Sequence, residues 1–249
     1  MSNVVDSTQR RSRAIQTVTL SLFRFNGLID RLWAFAQMGL ARPVIDRTPD
    51  IGFWKLCGSG TGEGFTPLPN TAVYGVLATW PDLDAAQTQT AQAPVYKRYA
   101  ARASESWHLF LTPISVKGTW AGTTPFQAAD DTQAGPIAAL TRATVKPRVA
   151  VRFWQRVPDI SSVIGADPNV LFKIGIGEVP LLHQVTFSIW PDADSMAQFA
   201  RADGPHARAI RAVRTGDWFS EELYARFRVQ ATRGSWNGRD PLMTQKDAA

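Results

Sequence analysis

The chain has few of the side chains that build metal sites and disulfides: three histidines and one cysteine, Cys57, in 249 residues. One cysteine excludes an internal disulfide and is typical of a reducing cytoplasm. The histidines form no H-E-x-x-H or facial-triad motif, and no Cys-x-x-Cys is present. Zinc and non-haem iron sites are therefore disfavoured. A haem iron held by one axial side chain remains possible.

Long apolar runs are also missing. No uncharged apolar stretch approaches the ~20 residues that a spanning helix needs, and no apolar segment follows the arginines near the start of the chain. The sequence therefore predicts neither a transmembrane helix nor a secretory signal. We expect a cytoplasmic protein.

Charge of one sign is never concentrated, although the net charge is +6 and the pI is near 9.8. The Lys and Arg residues are scattered rather than grouped on one segment, so nucleic-acid binding is not predicted. The positive excess is consistent with mild attraction to an anionic membrane surface or an acidic partner. A merely solvated surface explains it equally well.

The glycine-rich loop GSGTGEG at residues 58–64 matches neither common phosphate-binding loop. A dinucleotide fingerprint would need its third glycine where Glu63 or Phe65 stands, and the Gly-Lys-Ser/Thr of a P-loop is absent. We interpret the segment as a flexible hairpin loop that could act as a lid over a pocket. A Ser-His-Asp hydrolase is disfavoured too, because the G-x-S-x-G elbow is missing.

The chain does contain an internal repeat. Strand and helix patterns follow the order βαββαβ twice. Three features recur in the same order in both halves: an identical Arg-to-Lys spacing (Arg24 to Lys55, Arg142 to Lys173), Trp-Pro-Asp (80–82, 190–192) and Gly-Thr/Ser-Trp-x-Gly (118–122, 234–238). Their shared order indicates duplication.

The repeat predicts an α+β fold made of two fused ferredoxin-like (βαββαβ) units, packed sheet against sheet as a dimeric α+β-barrel-like unit. Val185, Phe187 and Ile189 would line the interior, and a ligand is expected between a sheet and its covering helices. The expected segments are a disordered basic arm (1–16), the first repeat (17–122), a loose linker (123–136), the second repeat with the candidate haem site (137–238) and a tail (239–249).

Several element predictions bear on the site. Apolar spacing from Leu28 to Ala36 predicts a helix over residues 28–40. The second half is predicted to contain a hairpin (170–176, 182–190), two helices (193–200, 205–213), a short helix or turn (218–224) and a closing strand (225–236).

Two histidines of the second half are candidates for binding haem. His206 opens a predicted helix in which Arg208 and Arg211 follow at helical spacing, which suits an axial ligand beside propionate-binding cations. A capping or surface role explains His206 as well. His183 alternates with Val185 on one strand face. It is an axial ligand, a distal-pocket group or a buried, hydrogen-bonded side chain.

The other candidates have simpler interpretations. We expect His108 to be structural or exposed. Cys57 is expected to be a buried apolar residue, because no thiolate-ligand motif surrounds it. Lys55 and Lys173 stand at matched positions in the two spacings, and a structural role suits them equally well.

Long segments of the chain resemble the spheroidene monooxygenase family, the acyclic carotenoid 2-ketolases of phototrophic bacteria. The similarity covers about residues 17–237 and includes RLWAFAQMGLAR (31–42), GFWKLCGSGTGEGFTPLPN (52–70), IGADPNVLFKIGIGEVPLLHQVTFSIWPD (164–192) and GPHARAIRAVRTGDWF (204–219).

This resemblance implies a monooxygenase with haem b that uses O2 and reduced ferredoxin to oxidise C2 of an acyclic carotenoid. Two hydroxylations at C2 would give a gem-diol that loses water to form a ketone. It also implies peripheral contact with the cytoplasmic face of the inner or photosynthetic membrane. A homodimer stays open, as do a haem-dependent lyase or dehydratase of the aldoxime-dehydratase type and a non-catalytic haem- or carotenoid-binding protein.

Overall fold

Eight antiparallel strands close into a single barrel in the order β1-β3-β2-β6-β7-β5-β8-β4. The computed structural model describes residues 14–62, 66–130, 133–155, 169–201 and 216–242, without the side chains of residues 200 and 201. The strands are β1 (Thr17–Arg24), β2 (Trp54–Gly60), β3 (Pro69–Trp80), β4 (Glu105–Gly118), β5 (Ile137–Val145), β6 (Phe172–Gly177), β7 (His183–Trp190) and β8 (Phe219–Gly234).

The helices lie outside this barrel. Among the described residues they are α1 (Leu28–Leu40), α2 (Arg42–Ile45), α3 (Leu83–Gln92), α4 (Pro94–Ala100) and α5 (Ala193–Arg201). A 3-10 turn at Pro147–Val149 runs into helical residues 150–155. No helix of the described part of the chain is long and apolar enough to cross a membrane.

The two halves have the same strand order, β4-β1-β3-β2 and β8-β5-β7-β6, which is the ferredoxin-like order. They meet along a long β4–β8 ladder and a short β2–β6 seam, where Gly58 lies opposite Gly177 and Ser59 opposite Ile176. The predicted fold class is therefore confirmed.

Strand alternation explains why the barrel closes. One face of every strand is apolar and points inward, so each sheet buries the inner face of the other. Each strand contributes at least one inward side chain to this core: Leu20, Cys57, Leu77, Leu109, Leu140, Ile174, Phe187 and Leu223. Val185 and Ile189 belong to the same core, on the face that the alternation of β7 predicts.

The turns that end β4 and β8 fasten the halves together in a reciprocal way. We name residues 118–122 the first closing turn and residues 234–238 the second. Glu221 of β8 accepts hydrogen bonds from the first turn: Thr119 Oγ1 (3.0 Å), Ala121 N (3.1 Å) and Gly122 N (2.7 Å). Each closing turn thus binds a glutamate at the start of the other half's last strand.

The reciprocal contact of the second closing turn involves Glu105 of β4. Its carboxylate accepts hydrogen bonds from Ser235 Oγ (3.1 Å) and Gly238 N (2.7 Å). Gly234 opens this turn at φ 93°, and a Cβ there would lie 2.1 Å from the carbonyl oxygen of Ser106. Gly118 of the first turn is constrained in the same way, at φ 97° and 2.1 Å from the Glu222 oxygen. Both motifs therefore require glycine at their first position.

The pairing register of the strands shows that Lys55 and Lys173 are not at equivalent positions of the two sheets. Ala78 and Ser188 are equivalent, because each stands two residues before the tryptophan of its Trp-Pro-Asp motif. Ala78 pairs with Trp54, and Ser188 pairs with Lys173. Lys173 is therefore equivalent to Trp54 and not to Lys55. The equal spacing along the chain therefore does not reflect equal positions in the sheets.

Two segments differ from the sequence predictions. Residues 219–224 belong to β8 rather than to a short helix or turn. Their apolar residues Phe219 and Leu223 lack strict alternation, which hid the strand. The linker over residues 123–136 has no regular secondary structure where it is described, but it is not loose, because Phe126 is buried against Phe53 and Phe227. The predicted helix at 205–213 lies outside the described residues.

His108 has a structural position, as the sequence analysis expected. Its ring is buried between β4 and the helices, its Nδ1 lies 2.8 Å from Ser21 Oγ, and it contacts the rings of Phe23 and Tyr96. Burial, with the nearby charge of Arg233, lowers the pKa of His108 to about 4.

We predict that replacing Glu221 by Gln lowers the free energy of unfolding by about 3 kcal/mol, because it leaves the guanidinium of Arg142 buried without its closest counter-charge. Glu105→Gln is the matched control, since Arg24 is 31% exposed whereas Arg142 is 2% exposed. We expect a loss of about 1 kcal/mol there. Urea denaturation of the two variants tests this, and equal losses would contradict it.

The titration of His108 predicts a pH dependence of stability. Its pKa in the folded chain, about 4, lies below the ordinary value of 6.5, so the neutral ring stabilises the fold above pH 6.5 and this contribution is lost as the pH falls towards 4. His108→Gln retains a polar group for Ser21 but does not titrate in this range. Thermal melts between these two pH values should therefore show a smaller decline for the variant than for the wild type.

Candidate functional site

The outer faces of the two sheets are covered very differently. In the first half, α1 to α4 pack on the sheet and bury a large aromatic cluster that includes Phe23, Tyr74, Tyr96 and Tyr99. In the second half, the described residues bury only Ile137, Trp190 and Met196 in a separate outer cluster. Among the described residues, the outer face of the second-half sheet is therefore packed against fewer aromatic rings than that of the first half.

Small side chains line this face. We define the second-half floor as the outward residues of β5 and β7 listed here: Ala139, Thr141, Ala143, Gln184 and Thr186. All except Ala143 are half-buried. The register places Ala143 and Gln184 where the first half has the buried Phe23 and Tyr74. Where two aromatic rings fill the first half, the second half has a methyl group and an amide.

A flat ligand could lie on this floor under the helices of the second half. α5 packs on this side of the sheet, where Phe199 contacts the ring of Trp190 at 5.0 Å between centroids. The floor itself presents no imidazole or thiol to a metal. His206, Arg208 and Arg211 lie outside the described residues.

His183 points the other way, into the mouth of the barrel. It alternates with the inward Val185, and its ring is 30% exposed. Its Nδ1 is buried without a hydrogen bond, 3.6 Å from Glu178 Oε2. A carboxylate at Nδ1 orients an imidazole, as it does for metal-bound histidines, but this imidazole is not on the face that bears the floor.

A network of buried charges seals the same mouth. Glu178 lies 3.0 Å from Lys55 Nζ and 3.8 Å from the Arg142 guanidinium, and it accepts a hydrogen bond from Trp120 Nε1 at 2.7 Å. Arg142 also contacts Glu221 at 2.5 Å. Positive and negative groups balance, so Lys55 acts in the structure of the barrel rather than as an anion site.

The pKa values of Glu221 and of the neighbouring Cys57 are shifted within this network. Burial opposes the ionisation of Glu221, but hydrogen bonds from Gly122, Thr119 and Ala121, with Arg142, lower its pKa to about 2. Burial, followed by the charge of Glu178, raises the pKa of the Cys57 thiol. Cys57 is therefore an unreactive core residue, as expected.

Glu178 and Glu221 were not among the residues that the sequence patterns predicted. One signal could have found them: Arg142 stands on the inward, apolar face of β5, and a buried guanidinium requires carboxylate partners. No group of three or more His, Cys, Asp or Glu side chains that could hold a metal ion occurs within the described ranges.

An apolar cleft of about 350 Å³ opens beside the floor, above the β2–β6 seam. Its walls are Phe35 and Met38 of α1, Tyr74 of β3, Trp154 of the helical residues 150–155, and Leu181 of the β6–β7 loop. The cleft lies on the outer side of the barrel.

The predicted flexible loop over residues 58–64 is wrong in its first part, because residues 58–60 belong to β2 and pair with its neighbouring strands. Gly58, Ser59, Gly60 and Thr66 line the cleft, whereas residues 63–65 lie outside the described residues. A Cβ added to Gly58 would meet no atom within 4 Å. Gln184 belongs both to the cleft and to the floor, so the two form one continuous surface.

In fold, the chain is similar to solved structures of aldoxime dehydratases. One of these, in complex with butyraldoxime, aligns over 88% of this chain and 80% of its own with a TM-score of 0.61 at 10% identity. A second aligns over 88% and 82% with a TM-score of 0.58 at 11% identity. At such identities the likeness describes the fold alone.

In sequence, no family model matches the chain, but three curated proteins named spheroidene monooxygenase do. The protein from Rhodobacter capsulatus is 53% identical over 230 residues, which are 91% of this chain and 95% of that protein. The protein from Cereibacter sphaeroides is 53% identical over 232 residues, 92% of this chain and 71% of that protein. The protein from Rubrivivax gelatinosus is 33% identical over 217 residues, which are 85% of this chain and 84% of that protein. The chain therefore belongs to the spheroidene monooxygenase family.

Proposed function

We propose that the chain is a haem-dependent monooxygenase that hydroxylates C2 of an acyclic carotenoid twice and so converts it into a ketone. The observation that carries this proposal is the apolar cleft that continues, through Gln184, onto a floor of small side chains. The cleft would hold the carotenoid end group, and the floor would lie under the haem.

The substrate class follows from the family and from the cleft. The relatives are named for spheroidene, an acyclic carotenoid. A cleft of about 350 Å³ with walls such as Phe35, Met38 and Trp154 suits the end of an isoprenoid chain rather than the whole polyene. The remainder of the carotenoid would extend out of the mouth.

Haem b is the cofactor that the family resemblance implies, and the described residues fit it on the sheet side. At the positions of Phe23 and Tyr74 the floor has the smaller side chains of Ala143 and Gln184, which would leave more room for a planar group. His206 would be the axial ligand, and Arg208 and Arg211 would bind the propionates. His183 is the alternative ligand, which would put the haem at the barrel mouth. Bound haem would supply the activation of O2 that an unactivated C–H bond requires.

The chain itself would position the substrate and exclude water. The rings of Trp154, Phe35 and Tyr74 enclose the cleft and would keep water from the reacting carbon. Gln184, which lines the cleft, would donate an amide hydrogen bond to the tertiary oxygen next to C2. This contact would set which hydrogen faces the floor.

Each hydroxylation would consume one O2, two electrons from reduced ferredoxin and two protons. One oxygen atom would be inserted into the C2–H bond and the other released as water. The second hydroxylation would give a gem-diol, which loses water to leave the ketone. A lyase or dehydratase of the aldoxime-dehydratase type and a non-catalytic binding role have no specific observation in their favour, because the structural likeness concerns the fold alone.

Replacing His206 by Ala should reduce haem binding at least about tenfold, because it would remove the proposed protein ligand of the iron. His183→Ala is the matched comparison and should leave most of the haem bound. The measurement is the Soret absorbance after reconstitution with hemin and gel filtration. Loss of the band in His183→Ala, with retention in His206→Ala, would move the axial ligand to His183.

Replacing Gly58 by Leu should fill the cleft without disturbing the fold, since a Cβ at this position meets no atom within 4 Å. We expect kcat/KM for spheroidene to fall at least about tenfold, while the Soret band and the melting temperature stay as in the wild type. Gln230→Leu adds the same side chain at an exposed position of β8 and should leave turnover unchanged. Wild-type turnover by Gly58→Leu would contradict the assignment of the cleft.

A further inference from the structure

We infer that the outer face of α1 is a membrane-docking surface, which places the mouth of the apolar cleft against an anionic lipid bilayer. The inference rests on the proposed function in one respect: the carotenoid substrate explains why the protein would need a membrane. Its structural basis is independent of catalysis.

The apolar stripe that predicts α1 does not face the core. Its large side chains are between 62% and 77% exposed: Leu28, Ile29, Leu32, Phe35 and Leu40. The remaining exposed positions of the helix are Ala36 and Gly39, and the single residue that α1 buries is Ala34. The solvent-facing side of α1 is therefore apolar along its whole length, which is the reverse of an ordinary surface helix.

This arrangement is costly in water. Five large apolar side chains on one helix face form a continuous patch of the kind that marks an interaction surface. The polar residues of α1 are turned away from it: Asp30 forms an ion pair with Arg102, and Arg31 Nε donates to the Phe25 carbonyl oxygen at 3.0 Å. The occupant of this face must therefore be apolar.

The patch is continuous with the cleft. Phe35 belongs to both, being exposed on α1 and part of the cleft wall. Across the mouth, the loop residues Val179 and Leu181 are also exposed and line the cleft, and Val151 and Leu68 are exposed nearby in sequence. The cleft therefore opens into an apolar rim and not into a polar surface.

Exposed arginines stand on both sides of the rim, and one side carries a net positive charge. Arg42 and Arg47 are exposed just after α1, and Arg148 and Arg152 are exposed on either side of Val151. Asp46 and Asp50 are exposed beside Arg42 and Arg47 and balance their charge. Asp217 pairs with both Lys146 and Arg148, so the net positive charge lies on the side of Arg148 and Arg152. An apolar face beside cations matches the interface of a bilayer with anionic headgroups.

The occupant is a bilayer and not a second copy of the chain, because the cleft must admit one end of a long carotenoid. The carotenoid is longer than the cleft, so most of the polyene stays outside the mouth during binding. A second copy packed on α1 would cover that mouth with protein. A bilayer instead supplies the apolar medium in which the outer part of the polyene already lies.

The test is flotation of the purified full-length chain with lipid vesicles. Vesicles of phosphatidylcholine and phosphatidylglycerol in equal parts should bind the wild type at low salt. Pure phosphatidylcholine vesicles should bind it more weakly. Leu28→Ser with Leu32→Ser removes two exposed side chains that do not line the cleft, and we expect vesicle affinity to fall about tenfold or more. Ile15→Ser, at an exposed apolar residue outside α1, is the matched control and should bind like the wild type.

Wild-type binding that the double variant retains would overturn the inference, as would a wild type that does not bind either vesicle. Light scattering that shows a dimer in the wild type and a monomer in the double variant, without vesicle binding, would assign the face to a second copy. Turnover is read separately with detergent-dispersed spheroidene, which the double variant should convert at the wild-type rate. Vesicle binding without any turnover would leave the docking surface standing and remove the proposed function.

Discussion

The burial of one face of each sheet inside a shared barrel is the constraint on which the rest of the structure depends. The inner faces of the two sheets pack against each other and form the core, so a ligand must bind on the outer face of a sheet or at a mouth of the barrel. Helices α1 to α4 fill the outer face of the first half with aromatic rings. The outer face of the second half has Ala143 and Gln184 at the positions that Phe23 and Tyr74 occupy in the first half.

Buried charge closes the barrel where apolar packing alone would leave it open. Arg142, with Glu221 and Glu178, connects β5, β8, the β6–β7 loop and the first closing turn. Removing either charge from such a pair would strand the other away from water, so the network fixes the relative position of the halves. The β2–β6 seam, and with it the cleft above the seam, is held by this contact although the seam itself is short.

Much of the fold could be predicted from the sequence, because duplicated motifs and strand alternation are local signals. The paired Trp-Pro-Asp and Gly-x-Trp-x-Gly motifs indicated two βαββαβ units, and the inward face of Val185, Phe187 and Ile189 followed from alternation. The orientation of α1 did not follow, since periodicity locates an apolar stripe without saying what covers it. The equivalence of Lys55 and Lys173 failed for a related reason, because spacing along a chain does not record register between strands.

The central claim is that the chain inserts an oxygen atom from O2 into an acyclic carotenoid held in the outer cleft. Turnover of spheroidene under ¹⁸O2, with reduced ferredoxin and hemin-reconstituted protein, tests it most directly by mass spectrometry of the ketone. The account predicts a keto product that carries ¹⁸O and no product without O2. A ketone whose oxygen comes from water, or product formed at the same rate without O2, would contradict it.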